Sequence, residues 1–507
     1  MNSVREREHV LDPPAETQAS GKEIRDIKRV IGISYIWQGI TSGLISTPMT
    51  FFIKEGLKLS DAWGQIFSGA TSIGWLIKPL WGSISDKFPI RGEHRRPWFT
   101  LMALFAGCWW LTAAFGAQLG ILAPLFFFIA FNMAAVGAAF VDVTSDAIMV
   151  ENGQRLKKVS LFVNHQWTML SLTSAIAGFV GGWLTGQVQA GNVGYSTIFA
   201  IAAVLPFVAA YFGWKMQEKP RQKKVCAETT NGECVPFIQR LKSVVVQNRL
   251  LIVLFLFMFF WHFNPSLGYI QRSYLIDHRG FTPEVFGIMA MLGGLVFFAS
   301  LVCYRFVTRT LAKVGWHHWL YLMIALNLVA FPMNFFIYLE PDHAWWQFVN
   351  TMVPSWIVEL PFLPDWNQYV WFTVLTGNIL AFASIPAIMI PLQIAGGGIN
   401  PASAGFQYAL LMSTINLTHT IDDILGGAIY GWFSVENGAV TNSTGQWLLS
   451  LFRATPFEVA GSTDARTLIL QLFIWVGVCC VLISAIFVML VRRASKKQNI
   501  EMSLKEA

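Results

Sequence analysis

Asp142 and Asp146 lie four residues apart in an otherwise apolar run, Ile121–Met149. On a helix that spacing stacks both carboxylates on one face. A carboxylate facing lipid is too costly, so this face must line a cavity or meet a cation. Lys78 is the natural counter-charge, because it is the one basic residue deep inside a predicted span. Burial and a nearby ammonium act in opposite directions on a carboxylate's hold on its proton. That balance suits a proton carrier, and the same three residues equally suit a structural ion pair between two spans. Asp422 and Asp423 are adjacent, hence about 100° apart on a helix, and are expected not to face one cavity together. Of the two, Asp422 is assigned a substrate or proton role. Arg272, following the seventh span, suits an anionic solute or a lipid headgroup. His165 and His262 read as hydrogen-bonded filler inside spans.

Other chemistries find no residues. No Gly-rich phosphate loop with its Lys and Ser/Thr occurs, so ATP-driven transport is unsupported. No Cys/His cluster has metal spacing, and no nucleophile–base pair can be assembled. The expectation is therefore a non-enzyme with no cofactor and no metal. Its partners would be a small-molecule solute and the lipid bilayer, with no nucleic acid, and it would act as a monomer.

The elements that must position these groups follow from composition. Residues of the AVILMFWYC set make up 54% of the 507 and charged residues 13%, about half the charge a soluble surface needs. Apolar runs long enough to cross about 30 Å of hydrocarbon fall at Val30–Ile53, Ala62–Gly82, Trp98–Gln118, Ile121–Met149, Val159–Gly186 and Tyr195–Trp214. Six more follow at Leu250–Ile270, Pro283–Val307, Trp319–Leu339, Val370–Ile394, Ala404–Phe433 and Leu468–Val491. The fold class is an all-α polytopic membrane protein of about twelve transmembrane helices in two six-helix bundles. The expected divisions are a tail 1–29, a bundle 30–214, a basic central loop 215–249, a bundle 250–491 and a tail 492–507. With both termini on one side, that side holds 29 of the 36 Lys and Arg and the other side 6. The positive-inside bias then places both termini in the cytoplasm, with the plasma (inner) membrane as the expected site. Cys226 and Cys234 fall in the central loop, on the reducing side.

A weak internal repeat accompanies the layout. Phe162, Met169 and Gly181-Gly182 in the fifth span resemble Phe406, Met412 and Gly426-Gly427 in the eleventh. Span seven is crowded with phenylalanine, from Phe255 to Phe263, most of it expected to face lipid. Trp345, Trp346, Trp356 and Trp366 read as an interfacial belt or lid, and Asn442-Ser-Thr444 is a glycosylation sequon in an outer loop.

The loop after the second span carries Gly82, then Asp86, then Arg95 and Arg96. This arrangement resembles the helix 2–3 loop of the major facilitator superfamily. It implies a conformational latch, in which Asp86 pairs with Arg95 or Arg96 in one state and releases it in the other. Lys78-Pro79 before the glycine, Pro89-Ile90-Arg91-Gly92 in the loop and Arg95-Arg96-Pro97-Trp98 after it are similar to the folate–biopterin transporter family. Asp142-Val-Thr-Ser-Asp146-Ala, followed by Glu151, resembles that family's fourth-helix pattern, and the resemblance places Glu151 with the latch. Asn264-Pro265-Ser266, Gly280-Phe281-Thr282-Pro283-Glu284 and Ala409–Leu417 agree as well. The chain departs from the pattern at Asn400-Pro401-Ala402-Ser403-Ala404, where Ala404 replaces a glutamate. It departs again at His419, Asp422 and Asp423, which stand where apolar and small residues are usual.

The resemblance implies a secondary transporter of a small polar organic solute, folate- or pterin-like, proton-coupled through Asp142, Asp146 or Asp422 and working by alternating access. The alternatives are a nucleoside-, amino-acid- or sugar-like solute, or a non-transporting membrane sensor.

Overall fold

The computed structural model describes residues 21–216, 218, 229–230, 233–234, 248–265, 268–352, 367–397, 404–436, 438–455 and 464–497. Most of both tails, Cys226 and most of the central loop, Ser266, Trp356, Trp366 and the Asn400–Ser403 stretch lie outside the described residues.

Twelve rods form the body. In the first half they are α1 (Gly21–Phe51), a segmented second rod of α2 (Asp61–Ala70), α3 (Ile73–Leu76) and α4 (Lys78–Lys87), then α5 (Arg96–Gln118), α6 (Pro124–Arg155), α7 (Val159–Gln189) and α8 (Tyr195–Lys215). In the second half a segmented rod of α9 (Arg249–His262) and α10 (Tyr269–Arg279) is followed by α11 (Pro283–Val314) and α12 (Trp316–Met333). After the short α13 (Ala344–Met352) come α14 (Gln368–Gly397) and α15 (Ala404–Phe433). A short α16 (Ser443–Arg453) then leads into α17 (Ala465–Lys497). Among the described residues, eight helices are individually long and apolar enough to cross a bilayer. The others, α1, the two segmented rods and α15, carry many of the polar residues that line the interior.

Each segmented rod has a break beside a proline within an apolar run that reads as one span. A proline inside a helix removes an amide and collides with the carbonyl four residues back. At Pro79 the second rod restarts with Lys78 at the first position of α4, and the Trp81 indole donates to the Gly74 carbonyl at 2.9 Å. At Pro265 the seventh rod opens between His262 and Tyr269, so Arg272 lies within its continuing part instead of after it.

The face holding Gly21 and Lys497 is called here the terminal face, and the other the opposite face. Near the opposite face the two halves touch through their glycine pairs. A Cβ on Gly181 would meet the Leu44 carbonyl of α1 at 2.4 Å, and one on Gly182 would meet Gly287 of α11 at 2.5 Å. A Cβ on Gly426 would meet the Pro265 carbonyl at 3.2 Å, and one on Gly427 the Ala62 carbonyl of α2 at 2.7 Å. The two matched pairs therefore occupy matched crossings: α7 lies on the first and eighth rods, α15 on the seventh and second. The repeat seen weakly in sequence is the contact scheme of a pseudo-twofold fold.

One peripheral expectation is corrected. Trp346 is fully buried against Tyr369 and Phe372, and Trp345 stacks on Phe336 at 4.3 Å, so neither forms a belt. The Asn442 side chain caps α16, accepting from the Thr444 amide at 2.9 Å and donating to the Trp432 carbonyl at 3.1 Å.

Candidate functional site

Lys78 enters the interior because the Pro79 break sets it at a helix start, between α3 and α4. Its ammonium pairs with Asp142 of α6, both side chains at most 2% exposed, and lies 4.9 Å from the centre of the Trp75 ring. Asp146, one turn along α6, is not part of this pair. Its Oδ1 accepts from the Tyr35 hydroxyl at 2.5 Å and from Gln166 Nε2 at 3.2 Å. Gln166 Oε1 in turn accepts from the Tyr408 hydroxyl at 2.9 Å. Tyr35, Asp146 and Gln166 come from α1, α6 and α7, and Tyr408 from α15, so the chain of bonds crosses between the halves. Asp146 Oδ2 is buried without a hydrogen-bond partner among the described residues.

A cavity of about 830 Å³ lies between the halves, toward the upper end of the roughly 300–1,000 Å³ typical of small-molecule sites. Lys78, Asp142, Tyr35 and Gln166 line one part of it, and Asp146 sits just beyond them. Trp75, Trp110, Phe131, Trp261, Phe263 and Phe331 present rings to it. Phe263, on the phenylalanine-rich seventh rod, therefore faces the cavity and not lipid. Span seven also sends Phe257 into the core, and Phe260 stacks on Phe487 at 5.5 Å.

Both Asp422 and Asp423 line the cavity, against the expectation from their adjacency. The cavity is wide enough to wrap a quarter-turn of α15. Asp422 Oδ2 reaches one way to the Asn264 amide at 2.9 Å, in the break of the seventh rod. Asp423 Oδ1 reaches the other way to Gln65 Nε2 of α2 at 2.5 Å. Arg272 lines the same space, its Nη1 donating to Ser46 Oγ and Thr50 Oγ1 of α1, both at 3.2 Å. No carboxylate stands within ion-pair distance of it among the described residues. His165 is the filler expected, on the Lys28 carbonyl at 3.0 Å, whereas His262 lines the cavity.

Toward the opposite face the halves are joined further by Lys54, which meets Asp277 at 2.8 Å and Ser273 at 2.7 Å, and by Gln65 Oε1, which accepts the Ile270 amide at 2.8 Å.

The loop motif assembles at the terminal face. Arg95 Nη2 lies 2.6 Å from Asp86 and 3.1 Å from Glu151, and its Nη1 donates to Ser85 Oγ at 2.5 Å. Burial works against the guanidinium charge, and Asp86 and Glu151 more than offset it, leaving its pKa above the ordinary value. Arg96 does not join Asp86; it pairs with Glu93 at 2.6 Å. Gly82 lets α4 approach α6, where an added Cβ would stand 3.2 Å from Val143. Glu218, which sequence reasoning missed, caps α5 by accepting the amides of His94, Arg95 and Arg96 at 2.7–3.0 Å. Tyr35, Gln65, Gln166 and Tyr408 were missed as well. The only signal they carried was a side-chain amide or phenol inside an apolar span.

Solved structures with this fold are transporters. An auto-inhibited POT family peptide transporter superposes with a TM-score of 0.59 at 14% identity, covering 91% of this chain and 96% of that one. The nucleoside transporter NupG superposes at 0.54 and 13% identity, covering 93% and 99%. Two six-helix bundles around a solute-sized cavity are the fold of the major facilitator type. The BT1 family profile matches residues 38–506, and the chain belongs to that family. The folate-biopterin transporter of Synechocystis is 23% identical over 414 residues, 80% of this chain and 75% of that protein. Folate transporter 1 of Plasmodium falciparum is 23% identical over 409 residues, 79% and 72%. The chain is thus a transporter of a small organic solute.

Proposed function

We infer that the chain carries a flat, anionic heteroaromatic solute of the folate or pterin class by alternating access, with a proton as the driving ion. The observation that carries this reading is the cavity itself. It offers ring faces for stacking and, in Arg272, a guanidinium without an ion-paired acid to receive a carboxylate. The names of the relatives from Synechocystis and Plasmodium supply the solute class. The Lys and Arg distribution supports cytoplasmic termini and residence in the plasma (inner) membrane. One chain contributes both walls of the cavity, which supports a monomer as the working unit.

Asp146 is the proposed coupling group. Two donors converge on one of its oxygens, and one of those donors, Gln166, also holds Tyr408 of the other half. Its proton occupancy therefore bears on whether the halves stay joined near the terminal face. Lys78 and Asp142 are the proposed fixed pair beside it. A proton taken up with an anionic solute would lower the cost of bringing that charge into low dielectric.

Purified protein in liposomes with an imposed pH gradient tests both parts. Wild type should accumulate labelled folate or pterin, and Asp146→Asn should lose pH-driven accumulation while exchanging labelled for unlabelled solute. Full pH-dependent accumulation by Asp146→Asn ends the coupling assignment. Accumulation of a nucleoside, amino acid or sugar, with no pteridine taken up, ends the solute assignment.

A further inference from the structure

The coupling scheme leaves the Asp422 end of the cavity unused, and this is where the chain departs from its family's apolar pattern. The Asp422 carboxyl is 4% exposed. One oxygen accepts the Asn264 amide, and the other, Oδ1, is buried with no hydrogen-bond partner among the described residues. His262 lines the same cavity, two residues before Asn264, and its ring lies 5.8 Å from that of His419, one turn before Asp422 on α15. His262 Nδ1 is 2.8 Å from the Met258 carbonyl. A carbonyl only accepts, so Nδ1 carries the proton and Nε2 of the neutral ring is an acceptor. Nε2, too, is buried without a partner. Both residues line the cavity, and a buried acceptor left without a donor is costly.

Resting on the folate–pterin reading, we propose that Asp422, with His262, is the recognition site for the amino-bearing edge of the solute's ring. An exocyclic amino group next to a ring N–H matches the spacing of a carboxylate. Trp261, Phe263 and Phe331 line the cavity with them and offer ring faces, and the solute's anionic end lies toward Arg272. A solute without N–H donors on its ring leaves both acceptors bare and is rejected.

Binding of two pteridines to the purified full-length protein, measured by calorimetry, tests this. Pterin (2-amino-4-oxopteridine) carries the amino donor; lumazine (2,4-dioxopteridine) puts a carbonyl oxygen in its place. Wild type should bind pterin at least about tenfold more tightly. In Asp422→Asn the side-chain oxygen must stay on the Asn264 amide, which turns an N–H₂ toward the cavity. The preference should then fall below about threefold or reverse. Because the ratio is taken within one variant, it does not depend on the fraction of active protein. If Asp422→Asn yields no monodisperse protein, His262→Phe, which removes the other acceptor, should also shrink the ratio. Equal affinity for both pteridines in wild type, or an unchanged ratio in the variant that folds, overturns the proposal and leaves the folate–pterin reading standing. Wild type that binds neither pteridine but takes up another solute overturns both.

Discussion

An ammonium and a carboxylate removed from water together stay folded only because each cancels the other's cost. Lys78 and Asp142 are such a pair, each no more than 2% exposed. Lys78→Ala should lower stability by about 3–5 kcal/mol, because Asp142 is left buried and unpaired. Adding Asp142→Asn should return part of that loss by removing the orphan charge. Thermal unfolding in detergent reads both, and a double variant no more stable than Lys78→Ala would show that the lysine matters only for packing. This pair was legible in sequence because a charge inside an apolar run demands a partner, and one lysine was available. The partners of Asp146 were not legible. Tyr35, Gln166 and Tyr408 are neutral, and neutral polar residues occur in packed membrane helices for many reasons. Nor did the sequence distinguish Arg95 from Arg96. Only the fold shows that Arg96 turns back to Glu93 within its own loop.

At the scale of elements, two rods are interrupted where the cavity needs backbone or charge. The break at Pro79 sets Lys78 at a helix start, and in the break at Pro265 the Asn264 amide donates to Asp422. Helix existence was readable from apolar run length, and α15 matches its expected range residue for residue. The breaks were not readable, because bilayer helices tolerate prolines without segmenting. The loop joining α4 to α5 ties three helices: Asp86 at the end of α4, Arg95 before α5 and Glu151 late in α6. None of the three lines the cavity, and the latch proposed here would set the rate of exchange between states more than the affinity of either. Asp86→Asn should slow solute exchange across liposome membranes while shifting the binding constant less than about threefold. Normal turnover with lost affinity would remove the latch from this loop.

For the whole molecule, the matched glycine crossings relate α7 to α15, and with them the first rod to the seventh and the eighth to the second. Sequence alone suggested the repeat, but four matched positions could not say which rods each glycine touched. The orientation rests on charge counting, and its test is direct. In a background retaining only Cys226 and Cys234, an impermeant thiol reagent should label cells after permeabilisation and leave intact cells unlabelled. Strong labelling of intact cells would invert the topology.

The Gln166 side chain works as a polarised connector. A carboxamide has a giving end and a receiving end, and the two cannot be chosen independently. While Asp146 is ionised it accepts only, so Gln166 must show it the nitrogen and therefore show Tyr408 the oxygen. Once Asp146 holds a proton it can donate, and the amide is free to turn over. The tyrosine hydroxyl must then reverse its own sense or let go. On the coupling proposed for Asp146, a single proton inside one half would be translated into the direction of a hydrogen bond at the seam with the other.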